Sequence, residues 1–131
     1  MTNQASGTFE VKVNPQVDDK VGDPTVGRLS IDKKFQGDIE GTSKGQMLAA
    51  GTDVEGSAGY VAMERVSGTL HGSSGTFALQ HSGTMTRGVP QLTITVVPDS
   101  GTGQLVGLAG KMIINIVDGE HFYDFEYTLA E

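Results

Sequence analysis

Apolar residues recur at every second position through most of this chain, and a period of two is the mark of a pleated strand with one buried face. In TFEVKV, Phe9, Val11 and Val13 alternate with Thr8, Glu10 and Lys12. The pattern returns at Leu29 and Ile31, through GYVAMERVSGTL and TFALQHSGTM, and in HFYDFEYTL, where His121, Tyr123, Phe125, Tyr127 and Leu129 share a face. Helical periodicity is nearly absent, so the chain is predicted to be all-β. The 19 glycines are scattered among valines, threonines and isoleucines rather than gathered into a linker, which suits short strands separated by turns and bulges.

Punctuation by glycine and proline gives the expected order. After the opening strand, VNPQVDDKVGDPTVG reads as a loop, followed by a strand over 27–35 and a turn at Gly37–Asp38. IEGTSKGQMLAA is predicted as a strand with Gly41 and Gly45 on one face, where missing side chains permit tight curvature. Strands over 59–70 and 77–85 form a hairpin across HGSSG. LTITVV and KMIINIV follow, then a turn at Asp118–Gly119 and the last strand. About eight strands without a repeat fit a barrel or a sandwich, and closure into a barrel removes exposed edges. At 131 residues the chain has the size of one domain, 1–131.

Charge and composition exclude several functions. Sixteen acidic residues against 9 basic ones give a net charge of -7, which repels polyanions, so no nucleic-acid partner is expected. No apolar run is long enough for a transmembrane helix, and MTNQASGTFEVKVNPQ lacks the regions of a signal peptide. The expectation is a cytoplasmic protein with no membrane partner. With no cysteine there is neither disulfide nor thiolate chemistry. His81 and His121 lack an HxH pair or clustered carboxylates, so no metal and no cofactor is expected.

PDSGTGQLVGLAG, at Pro98–Gly110, places Gly101, Gly103 and Gly107 much as a nucleotide-binding turn would. That chemistry needs a helix whose first turn faces the phosphate, within a crossover of about a dozen residues. The chain reaches the next strand at Lys111, so no such helix fits, and the lysine of a Walker loop is missing. The loop is read as the corner joining LTITVV to KMIINIV.

GTGQLVGLAG, between two hydrophobic strands, resembles the loop shared by allene oxide cyclases and dirigent proteins. IEGTSKGQML, GYVAMERVSGTLHGSSGTFALQHSGTM and HFYDFEYTL more closely resemble a bacterial family of unknown function assigned to the same barrel superfamily. The resemblance implies a single eight-stranded antiparallel β-barrel, allene oxide cyclase-like or lipocalin-like, with at most a short helical turn and assembled as a homo-oligomer. No catalytic residue is carried over from it.

Such a barrel is either filled or holds one small ligand. Parity makes Tyr60, Phe77, His81, His121, Tyr123 and Tyr127 the candidate ligand-binding residues. Tyr60 and Glu64 share one face of their strand and Met63 and Arg65 the other, and either can be the inner one. Glu64, His81 and Tyr123 are the candidate acids or bases, since burial can raise a carboxyl pKa and tyrosine can donate to a developing oxyanion. The plainer reading makes Glu64 and Arg65 an exposed pair and leaves His71 solvated in its turn. The serines of GTS, GSAG and HGSSG sit in turn-like contexts, and no GxSxG elbow occurs. The expected role is binding of a small, largely apolar molecule. The alternatives are a cofactor-free isomerase or cyclase acting on an unsaturated molecule, and a filled barrel acting only through its oligomeric surface. LTITVV and KMIINIV are apolar on both faces, which favours cover by a second copy.

Overall fold

In the computed structural model, which describes residues 2–16, 23 and 25–129, the alternating segments become eight strands: β1 (Asn3–Pro15), β2 (Val26–Gly37), β3 (Ile39–Gly51), β4 (Ala58–Leu70), β5 (Ser73–Thr86), β6 (Val89–Val96), β7 (Ala109–Val117) and β8 (Glu120–Thr128). Each pairs antiparallel with the next, and β1 returns to pair with β8, closing the barrel. The expected all-β barrel is therefore what forms. Within the segment predicted as a loop after β1, residues 17–22 and 24 lie outside the described residues. No helix among the described residues is long and apolar enough to cross a membrane.

Three of the hairpins turn on two residues. His71–Gly72, Arg87–Gly88 and Asp118–Gly119 all have positive φ at both positions. Two successive positive φ values match the right-handed twist of the flanking strands. The β4–β5 turn is therefore shorter than HGSSG, and Ser73 already belongs to β5. His71 is not simply solvated either: its Nδ1 lies 2.5 Å from Tyr127 Oη and its Nε2 lies 3.4 Å from Asp38 Oδ2.

The interior divides into two halves. Toward the end carrying the β2–β3 and β4–β5 turns it is filled by apolar and aromatic side chains, among them Phe35, Ile39, Leu70, Phe77, Leu79 and Phe125, all nearly inaccessible to water. Phe125 stacks on both Phe77 and Tyr127, with ring centroids 5.9 and 5.4 Å apart. The connection from β6 to β7 closes this end. It makes one 3-10 turn at Gly103–Leu105 and inserts Leu105 and Leu108 into the core. It also runs beside the first half of β5, which β6 has not yet reached: Thr102 N–H donates to Thr76 O, and Ala78 N–H donates to Ser100 Oγ. The glycine loop is thus a corner, as its spacing implied, and a plug as well.

At the opposite end the wall is less complete. The β6–β7 ladder consists of Ile94↔Met112 and Thr95↔Lys111, whereas β7 and β8 pair along their whole length. Beyond Ile94 and Met112 the two strands part. Ile113 and Val117 point outward and are more than half exposed, so the apolar outer face of β7 is uncovered in one chain.

The loop supplies a stability test. A Cβ on Gly101 would lie 1.9 Å from the carbonyl oxygen of Leu105, a contact only backbone movement relieves. Gly101→Ala is expected to lower unfolding free energy by about 2 kcal/mol, read as a lower urea midpoint with an unchanged slope. An unchanged midpoint would show that Leu105 is not held as described.

Candidate functional site

The largest departure from an apolar interior lies where the filled half ends. Glu64 on β4 points inward, settling the face of that strand, and its side chain has no exposure to water. It faces Gly45 across the β3–β4 ladder and Leu79 across the β4–β5 ladder. Gly45 is required there, because a Cβ would lie 2.1 Å from Met63 O and 2.8 Å from Glu64 Cβ. The strands approach closely and leave the carboxylate room.

Three side chains from three other strands converge on it. Lys33 Nζ donates to Glu64 Oε1 at 2.9 Å, Ser43 Oγ donates to Oε2 at 2.5 Å, and His81 Nε2 lies 2.6 Å from Oε1. Lys33 Nζ also lies over the Phe9 ring, 4.8 Å from its centroid. Burial by itself would push the Glu64 carboxyl up, but the hydrogen bond from His81, the charge of Lys33 and the hydroxyl of Ser43 outweigh it and bring it down to about 2. The carboxylate is ionised and can only accept, so the proton between it and His81 sits on Nε2. In that tautomer Nδ1 is an acceptor, and the Tyr60 hydroxyl lies 3.4 Å from it. Burial, and then the negative charge of Glu64, push the Tyr60 hydroxyl above its ordinary range.

Lys33 and His81 form the floor of a hollow of about 230 Å³, to which all eight strands contribute a side chain. It is therefore the barrel lumen. Its walls include Val11, Ile31, Met47, Leu92 and Ile114, and His121 stands at its edge, packed 5.1 Å from the Phe9 ring. An adjoining hollow of about 400 Å³, lined by Ala49, Gly83, Met85 and Pro90, shares Met47, Tyr60 and Leu92 with it.

Of the residues singled out in the sequence, the fold brings Tyr60, Glu64, His81 and His121 to this half of the barrel. Phe77, Tyr123 and Tyr127 lie in the filled half. Tyr123 Oη accepts from Ile39 N–H at 2.8 Å and faces the carbonyl of Gln36 at 3.1 Å. That hydroxyl anchors the β2–β3 turn and does not reach the lumen. Glu64 makes no exposed pair with Arg65, which points outward.

Sequence reasoning passed over Lys33 and Ser43. Ser43 has a turn-like sequence context, but it is buried in the middle of β3, between two inward glycines. The signal for Lys33 was present: it shares parity with Ile31 and Phe35, the buried face of β2.

Residues 5–127 match the family described as a protein of unknown function (DUF3224). The chain is also similar to the crystal structure of a protein of unknown function from that family, from Shewanella oneidensis MR-1, with 45% identity over 100% of both chains and a TM-score of 0.91. No curated protein matches.

The buried pair makes a pH-dependent contribution of known sign. A carboxyl lowered from 4.5 to about 2 on folding stabilises the fold by about 3 kcal/mol above its unfolded value. That contribution is lost as pH falls from about 4.5 to about 2. Glu64→Gln should lack this acid limb, yet be destabilised at neutral pH by about 3 kcal/mol, since Lys33 is left without its counter-charge. Lys33→Met combined with Glu64→Gln should be less destabilised than the two single changes added together. Additive losses in urea titrations of the four proteins would contradict the coupling.

Proposed function

Since the chain belongs to the DUF3224 family, whose description names no activity, we propose from its own geometry that the open half of the barrel binds a small, largely apolar molecule. The observation that carries this is a lumen with aliphatic walls converging on two polar groups, Lys33 and His81, at its floor. Ligand sites are commonly concave and apolar, with a few placed polar groups that fix orientation. Among the described residues, Lys33 makes its hydrogen bond with Glu64, and an ammonium carries three protons. A ligand with an apolar body and one oxygen fits this distribution. A relation to allene oxide cyclase-like barrels belongs to the same reading. It rests on the glycine loop, and it agrees with an interior given to a ligand.

The chain has no tryptophan, so Met47→Trp places one fluorophore in both hollows without background. Titration with the neutral ketone 6-propionyl-2-(dimethylamino)naphthalene is expected to change its emission saturably, with micromolar affinity. Leu92→Trp, which fills the part shared by both hollows, should weaken binding of the same probe at least tenfold, about 1.4 kcal/mol. Absence of saturable binding, or binding indifferent to Leu92→Trp, would remove the basis of the reading.

A second reading concerns assembly and is favoured by the exposed Ile113 and Val117 on the outer face of β7. We propose that this face is covered by another copy of the chain. Sedimentation should then give a mass that is a multiple of 13.7 kDa, and Ile113→Asp should return it to that value. A wild-type monomer would end this reading.

A further inference from the structure

We propose that the floor of the lumen is a proton-transfer site for small carbonyl compounds, with His81 as the base and Lys33 as the group that receives the enolate oxygen. The inference rests on the binding reading above and deepens it by naming the substrate class and the reaction. Three observations carry it.

The first is the orientation of the imidazole. Glu64 is held ionised and fixes the proton on His81 Nε2 at 2.6 Å. In the neutral imidazole Nδ1 is then the acceptor, with Tyr60 Oη at 3.4 Å, longer than an ordinary O–H···N contact. A carboxylate that orients an imidazole and stabilises the imidazolium formed on it is the supporting arrangement general-base catalysis needs.

The second is the position of the cation. Lys33 Nζ and His81 Nε2 are both within hydrogen-bond distance of the same oxygen, Glu64 Oε1. Ammonium and imidazole therefore stand side by side, and both line the lumen. In the proposed pose a carbonyl turns its oxygen to Lys33 and its neighbouring carbon to His81 Nδ1, on the edge of the ring that faces Tyr60 rather than Glu64.

The third is charge balance. Lys33 is already paired with Glu64, which weakens the attraction of this floor for a ligand that arrives as an anion. A neutral carbonyl gains negative charge only as its proton leaves, so the ammonium acts most strongly at the transition state. A barrel that needed only filling would be served at least as well by aliphatic side chains of similar volume, since burying an ion pair costs desolvation.

The step is balanced without any co-reactant. The α C–H bond breaks, and its proton goes to His81 Nδ1. The electron pair forms the C=C bond of the enolate, and the carbonyl oxygen takes the charge beside Lys33. Return of the proton to the same carbon gives exchange. With a β,γ-unsaturated ketone, return to the γ carbon gives the conjugated isomer. His81 and Lys33 are the catalytic residues, and Glu64 and Ser43 position them.

The test is exchange of the α protons of 2-tetralone in D2O, followed by proton NMR. The protein is expected to exceed equimolar imidazole by about 100-fold or more. H81Q should fall to the imidazole rate while still binding 2-tetralone, as seen by the Met47→Trp fluorescence in the same background. K33M should lower the rate about 100-fold. Glu64→Gln should lower the rate and also displace its pH profile, which a purely structural defect would not do. Bound 2-tetralone exchanging no faster than with imidazole would overturn the inference and leave the binding reading standing. So would failure to hold 2-tetralone when the naphthalene ketone probe is held; if neither is held, both fall. The comparison of wild-type protein with imidazole needs no variant, so a folding defect in H81Q does not blunt the test.

Discussion

An ionised carboxylate sealed inside a barrel wall is costly unless its surroundings compensate for lost water, and the middle of this molecule is organised around that requirement. Glu64 draws one partner from each of β2, β3 and β5, so four consecutive strands are tied at one level by side chains as well as by ladders. The compensation is geometric as much as electrostatic. Gly45 gives the close strand approach, Ser43 satisfies the second oxygen, and the face of the Phe9 ring takes the ammonium. Removing one member leaves another charged or polar group buried and unmatched.

That belt of polar contacts also separates two kinds of interior. Below it, aromatic stacking and the inserted leucines of the β6–β7 connection fill the volume, and the tyrosine hydroxyls are occupied in holding turns. Above it, Met47, Tyr60, Leu92 and Ile114 line space that no side chain among the described residues fills. The packed half supplies the rigidity that the proposed site in the open half would require, since groups acting on a ligand must keep their positions without help from it.

Much of the fold was legible because one buried face per strand enforces a period of two, and because the turns carry glycine where positive φ is needed. The site was legible only in part. Glu64 and His81 stood out as titratable residues, but parity left the inner face of β4 open, and it does not say how far along the barrel a side chain lies. Tyr60 and Tyr123 are both inward tyrosines; the register sends one to the lumen and the other to a turn. Lys33 was hidden by the expectation that lysine belongs outside, and Ser43 by the expectation that serine among glycines marks a turn. In both positions tertiary pairing overrode what composition suggests.

The short ladder between β6 and β7 gives the barrel a preferred place to open. A closed wall is a ring of ladders in series, and it yields where the fewest pairs must separate, here Ile94↔Met112 and Thr95↔Lys111. Separation at that seam would join the lumen to solvent through the side of the barrel, and would expose Ile94, the neighbour of His81 in the Glu64 belt, and Met112, the neighbour of Phe125 in the aromatic stack. The seam runs lengthwise along the wall between two core residues, Ile94 and Met112, so the barrel is held shut there by buried side chains more than by backbone pairs.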